Sequence, residues 1–395
     1  MRTSNLFEWT VNDVLTLKKN YSDCLKEGKS EKWPFMFQDT FVYDKKIKST
    51  FHHEKLLVID FGGTTLKLGL YEAKNGIVTE IMLPKYIKIP EKQKIEHIEA
   101  FDWVAYQISE YLGDIEEEIY GGLTFSYPIE QISINSGKVL AFEKNFHFKV
   151  DPKNKDPVAA INRALKERGY NIKIAAIAND TTATLMSVKK IEKDHRIGIV
   201  LGTGTNATFF RNDKNNKKQA INLEWAGFNS PDIKRTIYDI QLEEEMKKSG
   251  NNTTFLDRFI GGYGFFHILN MTLKDMGLIK KDLTPEDIKK HIHDDNRNNE
   301  IFQVIKNIKT RTARVLTGLL LAVVDNMEIK SDETITFILN GTIFSDPFDK
   351  KIFYTEMKRF LKFSGIKLNQ IRFMRPKDAS LVGMVNILLS EVLEN

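Results

Sequence analysis

The chain has 395 residues, of which 42% are hydrophobic and 28% charged, and its formal net charge is +5. This length favours two domains over one compact core. The surplus of 58 Lys and Arg over 53 Asp and Glu is too small and too dispersed to favour nucleic-acid binding, and a single cysteine, Cys24, excludes an internal disulfide and a cysteine-based zinc site. No signal sequence or membrane span is predicted, so we expect a cytoplasmic protein with no membrane partner, with secretion left open.

The first half of the chain is predicted to alternate strands and helices. Aliphatic runs bounded by Gly, Asn and Pro indicate strands, and apolar residues at helical spacing indicate amphipathic helices. In chain order we predict helix 7–28, an irregular connection 29–54, strands LLVID, LKLGLY and about 77–83 with a turn at 74–76, helix 96–112, strand 121–126, helix 156–169 and strand 172–180.

The second half is predicted to repeat this order and then to become mainly helical. The tract 212–219 is rich in Asn and Lys and indicates a solvated hairpin loop. The predicted elements are strands 197–201, 206–210 and 219–222, helices 233–248, 255–276, 286–292 and 299–328, strands 334–339 and 370–374, and a closing helix 378–392.

Two glycine- and threonine-rich turns, in 56-LLVIDFGGTTLKLGLY-71 and 197-IGIVLGTGTNATFF-210, indicate phosphate binding. Glycine lets a backbone approach a phosphate closely, and threonine adds a hydroxyl donor. Neither turn is a Walker loop, because no GxxxxGK[ST] is present. The residues concerned are Gly62, Gly63, Thr64, Thr65, Gly202, Thr203, Gly204 and Thr205. Two such hairpins from two halves of the chain suggest a nucleotide held between duplicated domains.

Between the hairpins, strand 172–180 runs into the polar pair Asn179–Asp180. The carboxyl end of a strand is where α/β sheets usually place their chemistry. A carboxylate there can serve as a general base. The alternative is that Asp180 caps the following helix, and the two roles are compatible.

Several ordered motifs resemble the hexokinase family of sugar kinases, within the actin-like ATPase superfamily. They are DFGGTTLKL, LTFSYP, FEKNF, ANDTTATLM, GTGTN, INLEW and LNGTIF, and the resemblance extends from about residue 56 to 390. It implies an α/β, two-domain actin-like ATPase (ribonuclease H-like) fold with a cleft between a small and a large domain. We expect the small domain to comprise 54–179 with about 380–395, and the large domain 1–53 with 180–379.

The resemblance also implies a set of site residues, with ATP and Mg²⁺ as cofactors. It makes Asp180 the general base and gives Lys144 a catalytic charge. The implied hexose contacts are Ser126, Glu143, Lys144, Asn179, Asp180, Asn206, Glu224 and Asp257. The implied nucleotide contacts are Asp60, Gly62, Gly63, Thr64, Thr65, Lys67, Gly202, Thr203, Gly204, Gly341, Thr342 and Ser380, and Asp60 is expected to orient Mg²⁺ through water.

The chain departs from the usual family pattern at several of these positions. The first hairpin commonly reads GGTN and then carries an Arg, where this chain has Thr65 and Lys67. Lysine keeps the charge but lacks the planar fork that grips phosphate oxygens in pairs. Glu143, Asp257 and Asn340 also differ from the residues that are usual there, and Gly383 is what remains of the final glycine-rich turn.

The expected function is that of an ATP-dependent hexokinase acting on glucose or a related hexose, the first step of glycolysis, as a monomer or homodimer. A non-catalytic sugar sensor is the alternative. An actin- or chaperone-like ATPase would leave Glu224 and Lys144 unexplained, and the repressor-related bacterial sugar kinases use a cysteine-rich zinc motif that one cysteine cannot supply.

Overall fold

The computed structural model describes residues 6–47, 53–89, 99–140, 155–250, 253–293 and 299–393. The chain divides into two compact units. Unit 1 consists of Met1–Met36, Val200–Asn206 and Glu224–Phe373, and unit 2 consists of Phe37–Ile199, Ala207–Leu223 and Met374–Asn395. The predicted domain boundaries stay a prediction; the two units assign residues 37–53, 180–199, 207–223 and 374–379 differently from it.

The strands and helices follow each other in the alternating order that the sequence predicts. The strands are β1 (Gln38–Tyr43), β2 (Glu54–Phe61), β3 (Thr65–Lys74), β4 (Ile77–Lys88), β5 (Ile119–Phe125), β6 (Ile129–Ser133), β7 (Ser136–Val139), β8 (Ile172–Ala178), β9 (Asp194–Leu201), β10 (Thr205–Asn212), β11 (Lys218–Asn222), β12 (Thr334–Asn340) and β13 (Ile371–Met374). The helices are α1 (Val11–Glu27), α2 (Ala100–Leu112), α3 (Pro157–Glu167), α4 (Asp180–Met186), α5 (Ile237–Lys248), α6 (Phe255–Ile260), α7 (Gly262–Asp275), α8 (Pro285–His293), α9 (Glu300–Asp325), α10 (Pro347–Leu361) and α11 (Ala379–Ile387).

Unit 2 is built on a five-stranded sheet in the order β4-β3-β2-β5-β8. β2 pairs antiparallel with β3 and parallel with β5, so that Asp60 lies opposite Lys67 on one side and Thr124 on the other. The β3–β4 turn has Asn75 and Gly76 at φ 52° and 75°, the left-handed pair that favours two-residue hairpins. The predicted turn at 74–76 is therefore confirmed.

The aliphatic interior of β2 explains why this strand is central. Leu57, Ile59 and Phe61 are fully buried, in one core with side chains of α2 and α3. Burial of each such side chain contributes about 1.5–3 kcal/mol. This core fixes the end of β2, where Asp60 lies.

Unit 1 is organised around the 26-residue helix α9. Gly318 lets α1 approach α9 closely, because a Cβ there would come within 3.1 Å of Leu17. β12 and β13 are hydrogen-bonded neighbours in this unit. In it, α7 packs against α5, α6 and α9.

Four sequence predictions are wrong in detail. The connection 29–54 contains β1, which pairs antiparallel with β11 from Gln38 to Asn222. The predicted helix 255–276 is two helices, because Gly261 is extended at φ −67° and ψ 162°. The hairpin β6–β7 follows Pro128 where no strand was predicted, and α10 was missed although Asp346 and Pro347 are a typical N-cap and first helical residue.

Candidate functional site

The first hairpin holds a buried carboxylate and its counter-charge. Asp60 is 4% exposed at the end of β2. Its Oδ2 accepts a 2.7 Å hydrogen bond from Lys67 Nζ and a 2.6 Å bond from Ser380 Oγ. The antiparallel register of β2 and β3 places the two charged residues opposite each other. The chain itself therefore neutralises much of the charge of Asp60.

Burial and neighbouring carboxylates have opposite effects on the pKa of Lys67. Burial alone would lower it, but the charge of Asp60 and its hydrogen bond raise it, with smaller contributions from Asp378 and Asp180. The net effect is a raised pKa, so Lys67 is an ammonium group at neutral pH. Asp180 thus lies close enough to Lys67 to influence its titration.

Asp180 is the first residue of α4, and Asn179 is the N-cap of that helix. Asn179 Oδ1 accepts hydrogen bonds from Thr181 N at 2.9 Å and Thr181 Oγ1 at 2.7 Å. The possibility that Asp180 caps the helix is therefore wrong, since its neighbour satisfies those donors. Asp180 Oδ2 instead accepts a 3.2 Å hydrogen bond from Ser126 Oγ, just after β5.

Helix α11 fixes this cluster from behind. Ser380 is 2% exposed near its start, and Gly383 packs against α4 so tightly that a Cβ would lie 1.6 Å from the Ala183 carbonyl oxygen. The sequence marks Gly383 as the remnant of a glycine-rich turn. In the structure its absence of a side chain allows α11 and α4 to touch, which positions Ser380 and Asp180.

The second hairpin, at residues 202–204, is held by the start of α7. Gly262 N donates to Gly202 O at 2.8 Å, and Tyr263 N donates to Thr203 O at 3.2 Å. A Cβ on Gly202 would meet nothing within 4 Å, and its φ lies outside the left-handed region, so neither packing nor backbone conformation requires glycine there. Space over a glycine in a tight turn is what close approach of a phosphate needs.

Asp257 supports the same hairpin. Its Oδ1 accepts a 2.7 Å hydrogen bond from Thr205 N, and its Oδ2 accepts a 2.8 Å bond from Thr254 Oγ1. A Cβ on Gly204 would lie 2.6 Å from Oδ1, so Gly204 is needed to admit this carboxylate. The hexose contact expected of Asp257 stays a prediction beside this supporting role.

Glu224 and Asn206 form a second polar pair in unit 1. Asn206 Nδ2 donates to Glu224 Oε1 at 3.0 Å. Glu224 has φ 45° and ψ 40°, a left-handed conformation that is costly for a residue with a Cβ and is common at functional sites. The next residue, Trp225, is fully buried and donates from Nε1 to Thr205 Oγ1 at 3.0 Å. The pair is thereby anchored beside the second hairpin.

The third glycine turn lies against the end of β9. Gly341 has φ 111°, and a Cβ on it would lie 2.2 Å from Leu201 O. Asn340 Oδ1 accepts a 2.8 Å hydrogen bond from Gly341 N. The positive φ and the close approach to Leu201 both require glycine at this position. Thr342, the next residue, lies in the same unit as Thr203.

A cavity of about 430 Å³ lies within unit 1. Thr203 of the second hairpin, Gly262 at the start of α7 and Thr342 of the third turn line it, together with aromatic and aliphatic side chains. Mostly apolar walls with a few polar groups are typical of small-molecule sites. Thr203 thus brings the second hairpin to a cavity of the kind that binds small molecules.

For Mg²⁺ the described residues offer one carboxylate, Asp60, rather than a cluster of ligands. Among the described residues no group of three or more His, Cys, Asp or Glu side chains could hold a metal ion. Asp60 Oδ2 is engaged by Lys67 and Ser380. Mg²⁺ keeps several waters and is bound largely by substrate phosphates, which agrees with one carboxylate that acts through water.

Unit 2 thus brings together Asp60, Lys67, Ser126, Asp180 and Ser380. Unit 1 holds Thr203, Asn206, Glu224, Asp257 and Gly341. Ser380 belongs to unit 2, whereas Gly341 and Thr342 belong to unit 1. Lys144 and Glu143 lie outside the described residues. The individual roles of these site residues remain predictions.

Sequence reasoning missed two acidic residues at the cavity, Asp346 and Asp349. Their only sequence signal is the Asp-Pro helix start at residues 346–347, which indicates a cap but no ligand. None of the described helices is long and apolar enough to cross a membrane.

Comparison with protein-family models matches two hexokinase models, one to residues 3–189 and one to residues 196–283. Among curated proteins, a Solanum tuberosum hexokinase-2 is 26% identical over 58% of this chain and 50% of its own length. A Schizosaccharomyces pombe hexokinase-1 is 30% identical over 57% of this chain and 49% of its own length. The matched part therefore spans about half the length of these curated relatives.

Among solved structures, a hexokinase from Schistosoma mansoni complexed with glucose matches 98% of this chain and 97% of its own, with a TM-score of 0.78 at 16% identity. At this identity the likeness establishes the fold, a two-domain actin-like ATPase fold of the sugar-kinase type, and the predicted fold class is confirmed.

Proposed function

This chain belongs to the hexokinase family, and we propose that it transfers the γ-phosphoryl group of Mg·ATP to the 6-hydroxyl of a hexose. Glucose is the first candidate, because a matching solved hexokinase is complexed with glucose. In the cell this reaction would be the first step of glycolysis, in the cytoplasm.

The observation that carries the proposal is the setting of Asp180. Its carboxylate is not used to cap α4, accepts a hydrogen bond from Ser126 and contributes to the raised pKa of Lys67. A carboxylate held in this way can accept the proton of the 6-hydroxyl while the hydroxyl oxygen attacks the γ-phosphorus. The bond from that phosphorus to the bridging oxygen of ADP then breaks, and ADP leaves with the electron pair.

Binding of the sugar is assigned to the polar pair in unit 1. Glu224 offers carboxylate oxygens to sugar hydroxyls, and Asn206, which donates to it at 3.0 Å, can both donate and accept. Asn179 Oδ1 is used by Thr181, so we assign to its amide nitrogen a hydrogen bond to a sugar oxygen. Lys144 and Glu143 are proposed as further sugar contacts on the family resemblance alone.

The phosphates are assigned to the open hairpin at Gly202 and Thr203, and Lys67 and the first hairpin are proposed as further phosphate contacts on the family resemblance. Mg²⁺ bound with the nucleotide would supply positive charge against the charge that develops in transfer. Asp60 would orient its water shell while Lys67 and Ser380 hold the carboxylate in place.

The test is a coupled assay of ADP release with Mg·ATP and glucose, fructose, mannose or glucosamine, on the wild type and on Asp180→Asn. We expect sugar-dependent ADP release that falls by about three orders of magnitude or more in the variant, while glucose binding measured by calorimetry persists. Wild-type turnover without sugar would favour a plain ATPase. Glucose binding without any sugar-dependent ADP release would favour a sugar sensor and contradict the proposal.

A further inference from the structure

Three threonine hydroxyl groups form a buried series of hydrogen bonds that ends at Asn179. Thr181 and Thr182 lie on α4 and Thr208 lies on β10, and all three are fully buried in unit 2. Thr181 Oγ1 lies 2.7 Å from Asn179 Oδ1. Thr208 Oγ1 lies 2.7 Å from Thr181 Oγ1 and 3.4 Å from Thr182 Oγ1. The proposed reaction assigns no role to these hydroxyl groups.

The Thr181 end of the series fixes which atom of the Asn179 amide faces the interior. Thr181 N can only donate, so its partner on Asn179, 2.9 Å away, is the oxygen Oδ1. An amide oxygen can only accept, so the Thr181 hydroxyl donates its single proton to Oδ1. Asn222 Oδ1, the other amide oxygen near this hydroxyl, is further away at 3.3 Å. Two donors therefore occupy both lone pairs of Asn179 Oδ1.

The remaining hydroxyl groups must then point the same way along the series. The Thr181 proton is committed to Asn179, so the Thr208 hydroxyl is the donor in its 2.7 Å contact with Thr181. The Thr208 oxygen in turn accepts from Thr182 at 3.4 Å. Hydrogen bonds that point in one direction through a buried region polarise and strengthen one another. The series therefore holds Asn179 Oδ1 more firmly than Thr181 alone would.

The nitrogen of the Asn179 amide is open to a ligand. Within the described part of the chain Nδ2 donates no hydrogen bond, yet it is not one of the buried side-chain atoms that lack a partner there. Nδ2 therefore has access to solvent. Because both lone pairs of Oδ1 are used, Asn179 can offer a ligand only N–H groups, and the ligand atom must be an acceptor. A sugar hydroxyl that accepts from Asn179 keeps its own proton for another partner, and Asp180 is the next residue.

We propose that Thr181 and Thr208 are positioning residues for sugar binding, whose hydroxyl groups lock the Asn179 amide with Oδ1 inward and Nδ2 towards the hexose. Both threonines are fully buried, so they act on the sugar only through Asn179. An amide that is not locked can turn, which would place its oxygen against the sugar oxygen and lose the hydrogen bond. The inference rests on the proposed function in one respect, that the hexose binds at Asn179.

The test measures glucose binding by calorimetry without ATP, so it needs no turnover. Thr181→Val keeps the volume of the side chain and removes its hydroxyl group, whereas Thr181→Ser removes the methyl group and keeps the hydroxyl. Both substitutions should lower the midpoint of urea unfolding, because each disturbs a buried site. Only Thr181→Val should weaken glucose binding, by about three- to tenfold, the worth of one buried hydrogen bond.

Thr208 provides the second pair of variants. Thr208→Val should weaken glucose binding about two- to threefold, less than Thr181→Val because Thr181 can still donate to Oδ1. Thr208→Ser should bind glucose as the wild type does. The matched control is Thr272→Val, because Thr272 is 1% exposed and its hydroxyl donates within α7 to Ile268 O at 2.7 Å. This control should leave the affinity for glucose unchanged.

Monodeoxy analogues of glucose identify the sugar hydroxyl that Asn179 contacts. Removal of that hydroxyl should weaken binding to the wild type, and the loss should shrink in Thr181→Val and persist in Thr181→Ser. A loss that is the same in the wild type and in Thr181→Val for every analogue would overturn the proposal. Equal weakening of glucose binding by Thr181→Val and Thr181→Ser would also overturn it, since that result indicates a purely structural role.

The two Thr208 variants carry the test if Thr181→Val does not fold, and wild-type affinity in Thr208→Val would then overturn the proposal. The outcome also separates this inference from the proposed function. Hexose binding without sugar-dependent ADP release would contradict the kinase reaction and leave the positioning role standing. Failure of the wild type to bind any of glucose, fructose, mannose or glucosamine would overturn both.

Discussion

Lys67 donates a 2.7 Å hydrogen bond from Nζ to Oδ2 of Asp60, its cross-strand partner in the first hairpin. The family commonly has an arginine at this position, and lysine has no planar fork with which to grip two oxygens at once. The lysine is instead committed to one buried carboxylate, which Ser380 also contacts. Lys67 therefore stabilises the Asp60 carboxylate and is also a candidate phosphate contact.

Lys67→Met should destabilise the protein by about 2–3 kcal/mol, because it leaves a buried carboxylate without its counter-charge. Lys67→Arg is the matched control, since it restores the charge, and it should recover most of the loss. Urea unfolding of the three proteins measures the effect. A Met variant as stable as the wild type would show that Asp60 does not depend on this partner.

The same pair predicts a pH dependence. The pKa of Lys67 is raised in the folded state, so its stabilising contribution is complete below the pKa of an unfolded lysine, about 10.4, and is lost as the pH rises through the folded-state pKa. The stability difference between wild type and Lys67→Met should therefore be constant between about pH 6 and pH 9 and change only at more alkaline pH. A difference that shrinks near neutral pH would contradict the assigned charge state.

Gly202 and Gly204 are two residues apart and should respond oppositely to alanine. A Cβ at Gly202 meets nothing within 4 Å, so Gly202→Ala should keep wild-type stability within about 1 kcal/mol. It should nevertheless raise the KM for ATP roughly tenfold or more, because the methyl group occupies the space of the approaching phosphate.

A Cβ at Gly204 would lie 2.6 Å from Asp257 Oδ1. Gly204→Ala should therefore cost about 1–3 kcal/mol of stability. Thermal unfolding and ATP kinetics on both variants separate the two effects. If Gly202→Ala left the KM for ATP unchanged, the second hairpin would not be the phosphate site.

Substitution of Asp257 tests whether this residue supports the second hairpin, contacts the sugar, or does both. Asp257→Ala removes the acceptor of Thr205 N and Thr254 Oγ1, so it should destabilise the protein by about 1–3 kcal/mol and raise the KM for ATP through a disordered hairpin. Glu224→Ala serves as the comparison and should raise the KM for hexose. A variant of Asp257 that raises only the KM for hexose would restore the sugar-contact role that the resemblance implies.

Much of the fold could be predicted from the sequence, because aliphatic runs and the Asn75–Gly76 turn carry their information locally. The predicted strands around Asp60 and the strand before Asn179 are confirmed. The pairing of Asp60 with Lys67 could not be predicted, because it depends on strand register. Asn and Asp are both good N-cap residues, so the sequence does not decide which of Asn179 and Asp180 caps α4. The structure decides it, because Asn179 has the extended backbone conformation of an N-cap.

Other parts of the site depend on contacts between residues far apart in sequence. The motif DRFIGG suggests a sugar contact by resemblance, whereas the bond from Thr205 N to Asp257 is visible only once α6 and the second hairpin are packed together. Asp349 gave no local signal, since an acidic residue in the first turn of a helix is ordinary. Its place at the cavity becomes apparent only when the packing around α10 is known.

Gly383 is the point at which α11 and α4 touch, and its substitution should affect both folding and catalysis. A Cβ there would lie 1.6 Å from the Ala183 carbonyl oxygen, so Gly383→Ala must push the helices apart and should cost about 3 kcal/mol or more. Because α4 carries Asp180 and α11 carries Ser380, the turnover of the remaining folded protein should also fall.

Val382→Ala, one residue earlier on the same helix, is the control, and it should change stability by no more than about 1.5 kcal/mol because Val382 is only partly buried. Urea unfolding gives the stability of each variant, and kcat is measured at a temperature where both are folded. A Gly383→Ala protein with the unfolding midpoint and kcat of the wild type would show that the close packing of these helices does not position the two site residues.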